Sequence, residues 1–221
     1  MRHKKRHVKL SVSQSALCET FVGEMSHKEK GEEMTSQDAN SIQKRLSILS
    51  DDEIEALYGR PHFTHEEQLQ YFALFPAEKE LLHELRSVHS QTYFILQLGY
   101  FKAKHLFFLF EFHEVKEDLQ SILDQHFPQT PIDDLSTINK RTNLRQRRFI
   151  LNFFNYRSCD TQGRQKLEMR ARFAARVSSK PIYVFRELMN TLTEQRIVAP
   201  GYSSMQDIVS NALTYDSTFA A

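Results

Sequence analysis

This sequence is poor in the residues that break or staple a chain. It has 6 glycines, 6 prolines, 2 cysteines and no tryptophan among its 221 residues. So few breakers disfavour an architecture of many short strands and favour helices. Cys18 and Cys159 stand far apart in polar surroundings. Two such thiols exclude a disulfide framework and fit a reducing compartment. No apolar run nears the roughly 18 residues needed to span a bilayer. The richest, 106–112, is short and interrupted by Glu111. The opening MRHKKRHVKL is basic, but no apolar segment follows it, so it is no secretory signal. The expectation is a cytoplasmic protein.

Patterns that carry catalysis are missing too. There is no glycine-rich phosphate loop, nucleophile elbow or kinase signature. Ten histidines invite a search for metal ligands, but no H-E-x-x-H and no paired cysteine spacing occurs. Asp51-Asp52 and Asp133-Asp134 are adjacent pairs, which diverge by about 100° on a helix. They read as first-turn charges favoured by the helix dipole. No catalytic residue, metal site or cofactor is expected.

What the chain does have is charge sorted by segment. The net charge is only +1, yet residues 136–180 carry Lys140, Arg141, Arg145, Arg147, Arg148, Arg157, Arg164, Lys166, Arg170, Arg172, Arg176 and Lys180. Their only acidic companions are Asp160 and Glu168. The balancing carboxylates lie mainly between 50 and 134. A single sign concentrated in one segment is the footprint of a polyanion binder.

With 40% hydrophobic and 11% aromatic residues, there is enough apolar material for a real core. Periodicity places it on helices throughout, so the fold class is all-α, with one multi-helical domain or two small helical subdomains. Residues 1–40 lack periodicity and read as a disordered basic and polar arm. Residues 41–213 form the helical region, acidic over 41–135 and basic over 136–213, and 214–221 is a short tail. Ser50 with Glu53, and Thr64 with Glu67, have the spacing of capping boxes. The second helix is expected to bury Leu69, Phe72 and Ala73. Pro76 suits a first helical position before Leu81, Leu82 and Leu85. Ser90 is expected to cap a helix that is apolar nearly all round, and therefore central. Val115, Leu119, Ile122 and Leu123 mark the next helix. Residues 131–138 could form a short helix leading into the basic one, a weak helix-turn-helix signal without a turn glycine. Residues 161–177 and a helix from Pro181 follow, and Ser203 with Gln206 suggests a third capping box.

Winding 141–155 at about 100° per residue sets Arg141, Arg145, Arg148, Asn152 and Asn155 on one stripe, opposite Ile150, Phe153 and Phe154. Arg pairs bidentately with guanine and Asn with adenine, so the stripe suits a major groove. The plainer alternative is a solvated face that only keeps the helix soluble. The DNA-contact candidates are Lys140, Arg141, Arg145, Arg148 and Asn152 on this helix. Arg147, Arg164, Lys166, Arg170 and Arg172 are assigned to flanking phosphates.

Three stretches carry a family resemblance: RLSILSDDEIEALYGRPHFTHEEQLQYFAL (45–74), LQLGYFKAKHLFFLFEF (96–112) and QRIVAPGYSSMQDIVSNAL (195–213). In that order they resemble the N-terminal domain of Tn-three-family transposases, the enzymes of replicative transposons. The resemblance implies an α-helical region that binds double-stranded DNA at the transposon's terminal inverted repeats. Strand cleavage in that family belongs to a separate C-terminal RNase-H-like domain with an acidic triad and a divalent metal. The present sequence stops before such a domain, so this polypeptide is expected not to cut or join DNA, as a truncated or split transposase would not. The rival expectation is a helical interaction or regulatory fragment. It would associate with itself or compete with full-length transposase, or be an inactive remnant.

Overall fold

The computed structural model describes residues 46–219, with side chains through Thr214. The arm expected at 1–40 lies outside the described residues. The described chain is essentially all-α, with nine α-helices and one two-residue pair of strands.

Local sequence explains most helix starts. At α1 (Asp51–Tyr58) the Ser50 hydroxyl accepts from the Glu53 N–H while Glu53 accepts from the Ser50 N–H. Thr64 and Glu67 repeat this reciprocal cap at α2 (His65–Tyr71). Pro76 opens α3 (Pro76–Leu82), where its missing N–H costs nothing. Much of the acidity of the first half is therefore structural. Glu53, Glu67 and Glu78 each satisfy an orphan backbone donor at a helix start.

The centre is α4 (Val88–Lys104), buried continuously from Thr92 to Phe101. Its cap is Ser87, whose hydroxyl accepts from the Ser90 N–H, so the expected cap at Ser90 is corrected by one turn. One side of α4 packs with Phe72 and with Leu119, Ile122 and Leu123 of α5 (Lys116–His126). Its other side, through Phe94, Leu98 and Phe101, meets Leu85, Phe107 and Ile150 and Leu151 of α6 (Lys140–Phe154). A helix pressed from both sides has no polar face to keep.

The third cluster gathers α7 (Thr161–Val177), α8 (Pro181–Glu194) and α9 (Tyr202–Phe219) around Leu167, Leu188, Ile208 and Val209. Leu49 joins it, with Leu46, Ile54 and Leu57 packed alongside, so the start of the described chain sits on its end. Tyr202 clamps this contact by accepting from the Ile48 and Leu49 N–H groups. Packing thus crosses the charge boundary at 135/136: α6 belongs with α4, and α1 with α7 to α9. Strand β1 (Arg157–Ser158) pairs in parallel with β2 (Ile197–Val198), and Val198 reaches the α4–α6 cluster. Ile197 faces the third cluster, so the pair ties it to the α4–α6 cluster.

Several expectations are corrected. Residues 131–138 make one turn of 3-10 helix, Ile132–Asp134, and then continue without regular structure to the α6 cap, so there is no helix-turn-helix at this point. Leu69 is 47% exposed and Ala73 is exposed, because α2 is a short surface helix anchored by Phe72. The third capping box is absent: α9 begins at Tyr202, and the Gln206 amide instead donates to the Leu46 carbonyl. The backbone of α9 stays helical to Phe219, through the stretch read as a tail.

Candidate nucleic-acid interface

Helix α6 is capped at both ends by asparagine. Asn139 accepts from the Thr142 N–H at 2.9 Å. Asn155 closes the helix with φ 55°, a left-handed position that asparagine tolerates better than most residues. It therefore ends the helix rather than extending its stripe.

The remaining stripe is real. Arg141, Arg145, Arg148 and Asn152 are all exposed, while Gln146, Ile150 and Leu151 are buried on the opposite side. From Arg141 to Asn152 the stripe runs about 16 Å along the axis. Arg145 lies over the Phe149 ring at 5.2 Å, which steadies a guanidinium that still faces solvent. Lys140 is exposed in the first turn. Phe153 and Phe154, expected inside, are half-buried.

Arg147 is not a surface anchor. It is 6% exposed and 5.1 Å from the Phe107 ring. Its Nε donates to Gln97 Oε1 at 3.4 Å and an Nη donates to the Phe108 carbonyl at 3.1 Å. Burial pushes its pKa down to about 10. Beside it, the Gln146 amide accepts from Gln97 at 2.5 Å and donates to the Ser90 carbonyl at 2.8 Å. Gln146 and Arg147 thus bolt α6 to α4 and fix which side of α6 faces out. The wheel already contained this correction: Arg147 lies about 60° from Ile150, inside the buried arc. Charge alone had placed it among the phosphate contacts.

The flanking residues on α7 divide. All are exposed, but Arg164 and Lys166 lie about 200° apart around the helix, so one surface cannot take both. Arg164 pairs with Glu168, one turn on, at 3.0 Å. Arg170 forms an ion pair with Glu187 of α8, and Arg172 has an interaction of its own. Lys166 and Arg170 share their side of α7 with Met169, Phe173 and Val177, at 55%, 55% and 74% exposure.

Arg164 instead meets the stripe. With Arg148 and Arg147 it lines a cavity of about 350 Å³ between α6, the strand pair and the starts of α7 and α9. Ser158, Cys159 and Ser204 complete its polar lining. Burial and Asp160 raise the Cys159 pKa, which disfavours a nucleophilic thiolate. Nothing in the sequence pointed to Ser158 or Ser204, because only the fold brings β1 and the start of α9 to one cavity. Among the described residues no group of three or more His, Cys, Asp or Glu could hold a metal ion. No described helix is long and apolar enough to cross a membrane.

Comparison with known families places this architecture. Residues 48–212 match a family described as Domain of unknown function (DUF4158). The chain belongs to this family. The DUF4158 region takes in α1 through most of α9, and so contains both the α6 stripe and the cavity. No curated protein and no solved structure matches the chain.

Proposed function

We infer that this DUF4158 chain is a non-catalytic DNA-binding module of the kind found in Tn-three-family transposases, recognising terminal inverted repeats. The observation that carries this reading is the exposed Arg141, Arg145, Arg148 and Asn152 stripe on a helix whose opposite face is bolted into the core. A rigid helix presenting three guanidiniums and an amide along one line has the donors that major-groove base edges accept. The three motifs in register support the choice of DNA element. Arg164, next to the stripe across the cavity, is the favoured phosphate contact on α7.

The test is fluorescence anisotropy of the whole chain on a duplex carrying the terminal repeat of the transposon that encodes it, against a scrambled duplex, at two salt concentrations. Preferential binding to the repeat supports the reading. Equal, strongly salt-dependent binding to both removes site recognition and leaves backbone attraction. No binding at low salt overturns the proposal.

A second reading rests on Met169, Phe173 and Val177, spaced four apart and exposed on α7. Such a stripe suits helix-on-helix contact with a second copy or with full-length transposase. Sedimentation that shows a salt-insensitive dimer, lost in Phe173→Ser, would favour it.

A further inference from the structure

The cavity beside α6 has chemistry that groove reading does not use. Its roughly 350 Å³ falls within the size range of small-molecule sites. Three arginines line it and no aspartate or glutamate does. They are graded in depth: Arg147 is buried, whereas Arg148 and Arg164 are exposed. The acceptors that hold Arg147 are the neutral amide of Gln97 and the carbonyl of Phe108. A guanidinium withdrawn from water attracts an entering anion more strongly than an exposed one does. Glu168 occupies part of the Arg164 fork at 3.0 Å, but a guanidinium has five donors and one carboxylate does not exhaust them.

The rest of the lining is of two kinds. Ser158 and Ser204 bring hydroxyls from β1 and α9. Leu151 and Val198, both buried residues, form an apolar wall. A ligand that suits this lining has a compact anion at one end and a weakly polar body at the other, which a nucleobase supplies. A carboxylate on an aliphatic chain would satisfy the apolar wall but engage fewer donors than three phosphoryl oxygens do.

We propose that this cavity binds one nucleotide, with its phosphate held by Arg147, Arg148 and Arg164 and its base against Leu151 and Val198. The cavity is a site distinct from the groove-reading face, although Arg148 and Arg164 belong to both surfaces. A free nucleoside monophosphate and a nucleotide unpaired from a DNA strand present the same chemistry.

Isothermal titration of the full chain with deoxyadenosine monophosphate at low salt tests this, with deoxyadenosine and inorganic phosphate as separate probes. The monophosphate should bind saturably, and each fragment at least about tenfold more weakly, since each lacks half of the contacts. Arg164→Gln, at an exposed position, should weaken binding about fivefold or more through loss of charge-assisted hydrogen bonds. Ser204→Phe fills the cavity from α9 while leaving every α6 residue unchanged, and should abolish binding. Absence of saturable binding by the monophosphate overturns the site. So does undiminished affinity in folded Ser204→Phe or, if that variant does not fold, in Arg164→Gln. Displacement by a duplex with one unpaired nucleotide, but not by a fully paired one, assigns the ligand to a DNA strand; no displacement assigns it to a free nucleotide. Repeat binding is measured separately, so either conclusion can fail while the other stands.

Discussion

Helices α4 and α6 lie against each other and are close in length, yet they obey different constraints. Ten consecutive residues of α4, Thr92 to Phe101, are buried, so packing accounts for each of them. On α6 packing accounts for Gln146, Arg147, Ile150 and Leu151. It does not demand Arg141, Arg145, Arg148 and Asn152 at exposed positions, although exchanging Arg145 would forfeit its contact with the Phe149 ring. When stability does not explain a patterned set of side chains, binding is the economical explanation. The two helices even share the contact that divides their roles, the Gln97–Gln146 hydrogen bond at 2.5 Å.

That contrast breaks most easily in the core. Phe94→Ala on α4 should cost about 3–5 kcal/mol, measured by urea denaturation. Arg145→Ala on α6 should stay within about 0.5 kcal/mol, as exposed substitutions do. A comparable loss from both would erase the distinction.

For DNA, the order reverses. Arg145→Ala with Arg148→Ala should lower affinity for the repeat by at least about tenfold, given roughly 1–3 kcal/mol for each good base contact. The Phe94 position should affect binding only through unfolding. Arg147 sharpens the comparison from within α6. Arg147→Ala should destabilise the fold by about 1–3 kcal/mol, because the Gln97 and Phe108 acceptors lose a buried partner. Arg147→Met, which keeps much of the volume, should cost less. A surface contact to duplex phosphates would behave oppositely, with unchanged stability and weaker, less salt-dependent duplex binding.

Smaller effects separate the two sides of α7. Arg164→Ala should reduce the slope of log affinity against log salt by about one, while Lys166→Ala should leave it unchanged. The smallest expected effect is on pH. Burial, and then Arg196, hold the His105 pKa below its ordinary value, and burial does the same for His89 and His126. These imidazoles stay neutral in the fold, whereas the unfolded chain takes up protons near pH 6.5. Stability should therefore be full above that pH and decline as pH falls through the lowered folded values. His105 has φ 58°, so His105→Asn keeps a residue that tolerates this backbone and should flatten the decline, measured by thermal melts from pH 7.5 to 5.

Local chemistry was the legible part of the fold. Two capping boxes, prolines at first helical positions and the apolar run of α4 each fix structure within a few residues. Misreadings arose where a choice depends on distant partners. Ser87 and Ser90 are equally good caps in isolation, and the fold uses Ser87. The parallel pairing of Arg157–Ser158 with Ile197–Val198 leaves no periodic trace at two residues per strand. At the candidate site, the stripe was readable because helical geometry is local. Arg147 was misplaced by giving charge precedence over its angle, and the cavity was invisible because β1 and α9 meet only in the fold.

On the function proposed above, the outer face of α6 reads DNA while its inner face holds the helix in place. Anisotropy of the folded wild-type chain and the Arg145→Ala/Arg148→Ala double variant, on repeat and scrambled duplexes at fixed salt, tests this most directly. Wild type should prefer the repeat, and the variant should lose both affinity and preference while keeping its melting temperature. Unchanged repeat preference in a folded double variant would contradict it.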